Sequence, residues 1–356
     1  MSELPTVGLD PAWIAEHVVI DGERPVLAEF AGFIGTGQMS RNARFRLVWD
    51  NGERGDRPAT VVVKIPSGEA STRSVSFEHD VYAKECHFYA HLADLVDVST
   101  PGAHHVHFDP PNDFTIILDD LDRSEQGDQF TDPTDDQVVM AIEQAAALQA
   151  PVWGATDSAV FDLLRSDPVE RAAGSEMMMP IFHAVVIERL GARLDADVAA
   201  LLEHFTARVG DWIRASAQPT TLVHGDFRPD NFMFGLDDTA PPIAIVDWQT
   251  LSLGTGVTDV AYLLGGALTP ERRHTDEDTH LAHYREALAR RGVDYDPDQC
   301  RREYALGSLH GLVIAMTATT MADETERGDA LFTLMLNRHG RHALDLDAMA
   351  LITRSS

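Results

Sequence analysis

Hydrophobic and polar positions change their spacing about a third of the way along the chain. Residues 28–33, 44–49 and 60–65 form β-type runs separated by Gly, Asn and Asp, the pattern of an antiparallel meander. Residues 76–95 switch to helical spacing, with Val81, Phe88, Leu92 and Leu95 as core contacts, and 103–108 and 114–118 read as two more strands. An acidic segment, 119–135, then interrupts the pattern. Beyond it the spacing predicts helices over 136–149, 169–190, 195–217, 279–291 and 299–320, broken by one short hairpin of 231–235 with 243–246. A strand-rich part followed by a helix-rich part points to an α+β fold, not to a parallel α/β sheet. The expected division is a β-rich N-lobe over 1–118, a hinge and linker over 119–135 and a helical C-lobe over 136–356.

Composition changes this picture little. The 356 residues are 44% hydrophobic, enough to bury a core, and no run of 18 apolar residues suggests a membrane span. Two distant cysteines, Cys86 and Cys300, suggest neither a disulfide framework nor a zinc cluster, so a reducing cytoplasm is expected. The formal charge of -29, with no basic stripe, argues against nucleic acid as a partner. It either draws a cationic substrate or serves solubility. A finer count is more informative: of 28 basic residues only Lys64 and Lys84 are lysines. A lysine inside the apolar strand VVVKIP therefore calls for a local reason, and contact with phosphate is a common one.

The densest polar pattern is VHGDFRPDN at 223–231, followed by IAIVDWQ at 243–249. If 232–234 pairs antiparallel with 244–246, Asn231 lies opposite Asp247. A carboxylate and an amide carbonyl at one end of a hairpin suit Mg²⁺, completed by nucleotide phosphates and water. Asp226, on the loop just before, would face the same space and accept a proton from an incoming hydroxyl. A loop Asp followed five residues later by Asn, and then by a metal-binding Asp, follows the phosphoryl-transfer logic of protein kinases. His224, two residues before Asp226, shapes the loop in this reading. In the alternative, the His-Gly-Asp turn merely caps a hairpin.

These motifs resemble those of the aminoglycoside-phosphotransferase-like and choline-kinase-like small-molecule kinases, in their ecdysteroid-kinase-like branch. The resemblance rests on HGD with Asn231, on DWQ, and on 254–264, where Asp259 precedes an Ala-Tyr-Leu-Leu run. Upstream, IGTGQMS is similar to the branch's nucleotide loop, VVVKIP to its lysine strand, Glu85 to its helix glutamate and ILDDL at 117–121 to its hinge. The resemblance covers roughly residues 25–345. It implies a bilobal protein-kinase-like fold that uses ATP and Mg²⁺ to phosphorylate a hydroxyl of a small molecule. Gly35, Gly37, Ser40, Lys64, Glu85, Asp119 and Leu121 would bind the nucleotide, Asn231 and Asp247 the metal, and Asp226 would be catalytic. Lys64 paired with Glu85 would address the α- and β-phosphates, with Glu78, on a similar helix face, as the rival partner. Asp259 would support the catalytic loop. Gln149 stands where the family often carries His, and the absence of Phe-Gly after Asp247 and of an Ala-Pro-Glu segment argues against a phosphorylation-controlled activation loop.

Two other readings stay open. One is a kinase-like module that binds nucleotide or ligand without turnover; the other is a metal hydrolase built on His224, Asp226 and the histidines at 104, 105 and 107. In a strand His105 and His107 share a face that His104 does not, and no carboxylate or cysteine at ligand spacing completes a site. Met177, Met178 and Met179 read as packing or as an adaptable apolar pocket. The acceptor is undetermined among aminoglycosides, choline-like alcohols, sterol-like alcohols and sugars.

Overall fold

A computed structural model of the chain describes residues 7–35, 39–50, 57–216 and 220–352. The fold is α+β. It divides into two compact units that are discontinuous in sequence: 1–94, 99–124 and 235–250 make one, and 95–98, 125–234 and 251–356 the other.

The first unit is built on five antiparallel strands: β1 (Leu27–Ile34), β2 (Ser40–Val48), β3 (Thr60–Pro66), β4 (Ala103–Asp109) and β5 (Asp113–Asp119), in the order β1-β2-β3-β5-β4. The meander predicted for the first three is present, and β5 inserts beside β3, pairing Lys64 with Ile116. Val61, Val63 and Ile65 alternate onto one face of β3 and are fully buried with Phe45, Ala43 and Ile117, closed by Ile14 and Val18 at the end of helix α1 (Pro11–His17). Lys64 therefore projects from the other face.

The helix predicted over 76–95 is divided. Helix α2 (Ala70–Glu78) stops, Asp80 turns through the left-handed region at φ 57°, and α3 (Val81–His87) begins, running on into a π-helical turn at Phe88–Leu92. Spacing over that window could not show the break, because apolar residues continue on both sides of it. The segment 235–250 belongs to the first unit because its strand β9 (Ile243–Ile245) is tied there by the Ile245 amide donating to Ser99 O at 2.8 Å. The short strands β6 (Ser124–Gln126) and β8 (Phe232–Gly235) carry the chain from unit to unit.

The second unit is helical. Helix α4 (Asp135–Gln149) opens with a Thr134/Gln137 capping box, and α5 (Pro168–Leu190) follows the predicted span closely. The helix expected over 195–217 breaks at Ala207 and Arg208 into α6 (Ala196–Thr206) and α7 (Val209–Ala215). Strands β7 (Thr221–Val223) and β10 (Ser252–Gly254) pair antiparallel beneath the HGD loop and precede α8 (Val257–Ala267). Helix α9 (Pro270–Arg290) starts nine residues before its predicted position, on a Thr269 cap whose hydroxyl accepts from the Arg272 amide. The span 299–320 splits into α10 (Pro297–Gly307) and α11 (His310–Met321). Helix α12 (Glu326–Asp345) has no predicted counterpart, because His339, Gly340 and His342 hold buried positions that read as polar in sequence. Among the described residues no helix is long and apolar enough to cross a membrane, and Cys86 and Cys300 are buried and unpaired.

Candidate active site

Within the first unit, Lys64 sits in the interior strand β3, between β2 and β5, and is only 6% exposed. Its Nζ lies 2.7 Å from the Glu85 carboxylate on α3 and 3.2 Å from Asp247 Oδ1. Burial pulls the Lys64 amine down, and the Asp247 and Glu85 carboxylates outweigh it, so its pKa stands above the ordinary lysine value. Burial also pushes the Glu85 carboxyl up against the pull of Lys64. Glu78 is not the partner: past the Asp80 break it ends α2, where its carboxylate accepts from Ser74 Oγ at 3.1 Å.

Asp247 is the only one of these three side chains with substantial exposure, 41%. Its backbone is left-handed at φ 70°, a conformation a non-glycine residue holds only when its surroundings impose it. The next two residues do so. The fully buried Trp248 ring stacks on Phe88 at 3.7 Å and donates from Nε1 to Thr100 Oγ1 at 3.1 Å, while Gln249 Nε2 donates to Ser40 Oγ at 3.0 Å. Ser40, expected at a nucleotide loop, is thus buried at the start of β2 and bonded to the residue two after Asp247. Gly35 takes φ 72°, which suits glycine, and Gly37 lies outside the described residues.

At the expected hinge the Asp119 amide donates to Gly102 O at 2.9 Å, and its carboxylate accepts from the Gly102 amide at 3.0 Å and meets His104 Nε2 at 2.9 Å. Leu121 O accepts from the Ser124 amide at 3.0 Å. His105 and His107 turn the other way, their rings 5.2 Å and 6.1 Å from Trp13. Among the described residues no group of three or more His, Cys, Asp or Glu could hold a metal ion by themselves. Any metal at Asn231 or Asp247 would need phosphate or water ligands as well.

In the second unit the HGD loop is fixed from below. Gly225 adopts φ 82°, and the buried Asp259 of α8 accepts from the His224 amide at 2.9 Å and the Gly225 amide at 3.0 Å. Burial holds the Asp259 carboxyl above the usual range, offset in part by His224 and these amides. His224 is fully buried; its Nδ1 accepts from the Asp226 amide at 3.3 Å, and His310 Nε2 donates to Gly225 O at 2.8 Å. Gln149, the departure from the family pattern, is also fully buried and bonds Asp259 Oδ2 at 3.2 Å, Gly256 O at 2.9 Å and the Tyr284 hydroxyl. Its amide therefore fills a structural position in this network. Asp259→Ala should strand both loop amides, costing roughly 1–3 kcal/mol for each. Urea unfolding is expected to show a lowered midpoint, with a smaller loss in Asp259→Asn, which keeps one acceptor oxygen.

Asp226 itself is held by three donor groups. Asn231 Nδ2 donates to its Oδ2 at 2.9 Å and to its backbone O at 2.8 Å, and the Tyr262 hydroxyl donates to Oδ1 at 2.8 Å. Arg228 Nε sits astride the two oxygens, 3.0 Å from Oδ1 and 3.1 Å from Oδ2. Burial pushes the Asp226 carboxyl up, but the Arg228 charge and the Tyr262 hydrogen bond more than offset it, leaving it below its ordinary value. A carboxylate offers about four lone-pair positions, so three donors leave room for one more, such as a hydroxyl. Because the Asn231 nitrogen is spent on Asp226, its Oδ1 is the atom free to face a cation, and a hard oxygen donor fits Mg²⁺. The motif reading overlooked Arg228 and Tyr262. Arg228 lies inside the quoted motif, where a cation two residues from a carboxylate is a readable signal; Tyr262 is 36 residues away.

Solved structures of similar fold are small-molecule kinases. A candidate aminoglycoside phosphotransferase from Ralstonia eutropha JMP134 superposes with a TM-score of 0.53 at 17% identity, over 94% of this chain and 97% of its own. Choline kinase from Cryptosporidium parvum Iowa II superposes with a TM-score of 0.52 at 9% identity, over 90% of this chain and 89% of its own. At such identities the likeness establishes the fold. A 45-residue stretch, 13% of the chain, is 51% identical to Acyl-CoA dehydrogenase family member 10 of Mus musculus, and it spans 4% of that protein's length. The pattern of the Ecdysteroid kinase-like family matches residues 35–292, from the Gly35 loop past the HGD and DWQ motifs, and the chain belongs to that family.

Proposed function

We propose that the protein is a phosphotransferase that moves the γ-phosphate of ATP to a hydroxyl group of a small molecule. The observation that carries this reading is the Asp226 carboxylate, oriented by Asn231, Arg228 and Tyr262 with one lone pair to spare. Phosphoryl transfer proceeds through a loose transition state and asks for orientation of the nucleophile more than for a strong base. A carboxylate below its ordinary pKa, held by three donors with one lone pair open, is suited to that task. Lys64, kept charged by Glu85 and Asp247, would neutralise the α- and β-phosphates. Gly35, Gly37 and Ser40 would form the nucleotide loop. Because the Asp119 amide and Leu121 carbonyl already have internal partners, adenine would be read by the remaining backbone groups of that stretch.

Asn231 Oδ1 and Asp247 would hold Mg²⁺, which when bound offsets charge on the transferring phosphate. The protein's own part is positioning and fixed charge. Aminoglycosides, choline-like alcohols, sterol-like alcohols and sugars are the acceptor classes to be tried, and a cytoplasmic setting fits two unpaired cysteines. The test is transfer of labelled phosphate from ATP across those four classes, with and without Mg²⁺. Labelled product in one class, dependent on Mg²⁺, is the expected result. Nucleotide binding with no transfer to any of them would favour a silent binding module, and phosphate release from phosphorylated compounds without ATP would favour a hydrolase.

A further inference from the structure

Helix α8 presents Asp259 and Tyr262 three residues apart, on one face. Asp259 fixes the backbone of the HGD loop, and the Tyr262 hydroxyl reaches the side chain of its aspartate at 2.8 Å. Tyr262 is 1% exposed and its ring lies flat on His339 of α12, with centroids 4.9 Å apart and planes 6° from parallel. The edge of His310, which bonds Gly225 O, stands 5.6 Å from the same ring.

The seat under His339 is made of glycine. A Cβ at Gly311 of α11 would come within 2.2 Å of the His339 ring, and one at Gly266 or Gly265 of α8 within 2.9 Å or 3.0 Å. A glycine inside a helix costs about 1 kcal/mol relative to alanine, and two stand side by side in α8. The space they clear holds two imidazoles, His342 against Gly265 and His339 against Gly266 and Gly311, and the face of His339 supports Tyr262. Burial, followed by the nearby His310 and Arg273, pushes His339 down to about 3, so the plate is uncharged at neutral pH.

We propose that Tyr262 is a positioning residue for Asp226: seated on His339, its hydroxyl holds Oδ1 so that the carboxylate keeps the orientation that leaves one lone pair for the acceptor hydroxyl. The role rests on the phosphotransferase reading. Asn231 and Arg228 alone leave Oδ1 with only a shared guanidinium contact, which weakens the hold on the carboxylate against rotation about its Cβ–Cγ bond. A misplacement of that kind lowers turnover without weakening nucleotide binding.

The test is Tyr262→Phe in the full chain, assayed by MgATP turnover to ADP, with Tyr304→Phe as the control for loss of a buried hydroxyl. Tyr262→Phe should lower kcat by about 10–100-fold with the KM for ATP unchanged, and should have no further effect in an Asp226→Asn background. Tyr304→Phe, whose hydroxyl bonds Glu277, should leave kcat unchanged. A wild-type kcat in Tyr262→Phe, or an equal loss with and without Asp226, would overturn the proposal. Crystal structures of wild type and Tyr262→Phe decide the matter independently of activity: a rotated Asp226 carboxylate supports the role, and an unmoved one overturns it. Wild type that turned over no ATP would count against the kinase reading alone.

Discussion

Asp226→Asn is expected to slow phosphoryl transfer severely while leaving ATP affinity nearly intact. In the proposed reaction the carboxylate faces the acceptor, and its three internal donors, Tyr262, Arg228 and Asn231, are set to receive a negative charge. An amide at this position turns one oxygen into a donor, which opposes both a neighbouring N–H and an incoming hydroxyl. Removing a positioned proton acceptor costs about 10²–10⁴ in rate. Nucleotide affinity should change little, because Lys64, Glu85 and Asp247 are unaltered. Steady-state transfer assays alongside titration of MgATP binding check both halves, and transfer at the wild-type rate would remove Asp226 from the mechanism.

Lys64→Met is expected to destabilise the fold strongly and also to stop turnover. It strands Glu85, which is 1% exposed, beside a second carboxylate at Asp247. Removing one member of a buried ion pair costs about 3–5 kcal/mol. The pH dependence has a definite sign. Burial already pushes Glu85 up, and without Lys64 its folded pKa rises further above the unfolded value. A raised carboxyl favours the folded state most below the unfolded pKa, and that contribution is lost as pH rises through the folded pKa. The deficit of Lys64→Met should therefore be greatest at neutral and alkaline pH and shrink toward acid. Urea unfolding at several pH values measures it. Lys64→Met with Glu85→Leu should recover part of the lost stability without recovering turnover, since the buried charge goes but the phosphate contact does not return.

Much of the candidate site is legible in the sequence because it is written in short, local patterns. His224 to Asn231 is one loop, and Lys64 stood out as one of two lysines in an arginine-rich chain. The choice of Glu85 over Glu78 needed the structure. Both share a face of an unbroken helix, and only the left-handed turn at Asp80 separates them. The supports of the loop were less legible still. Tyr262 reaches Asp226 across 36 residues, and His339 reaches Tyr262 from a helix whose buried histidines hid its periodicity. Trp248 stands where protein kinases carry the Phe after the metal-binding Asp, and its stack on Phe88 explains how Asp247 keeps its left-handed backbone. Contacts of that range leave no mark on local spacing, whereas alternating burial in β3 and capping at Thr134 do.

The fate of the γ-phosphate of labelled ATP, followed with Mg²⁺ and the four acceptor classes for wild type and Asp226→Asn side by side, tests the proposed transfer. Wild type should place label on the hydroxyl of one acceptor with one ADP formed for each phosphate moved, and Asp226→Asn should bind ATP and move phosphate about 10²–10⁴-fold more slowly. Equal labelling by the two proteins, or an ATP-bound wild type that labels no acceptor, would contradict the proposal.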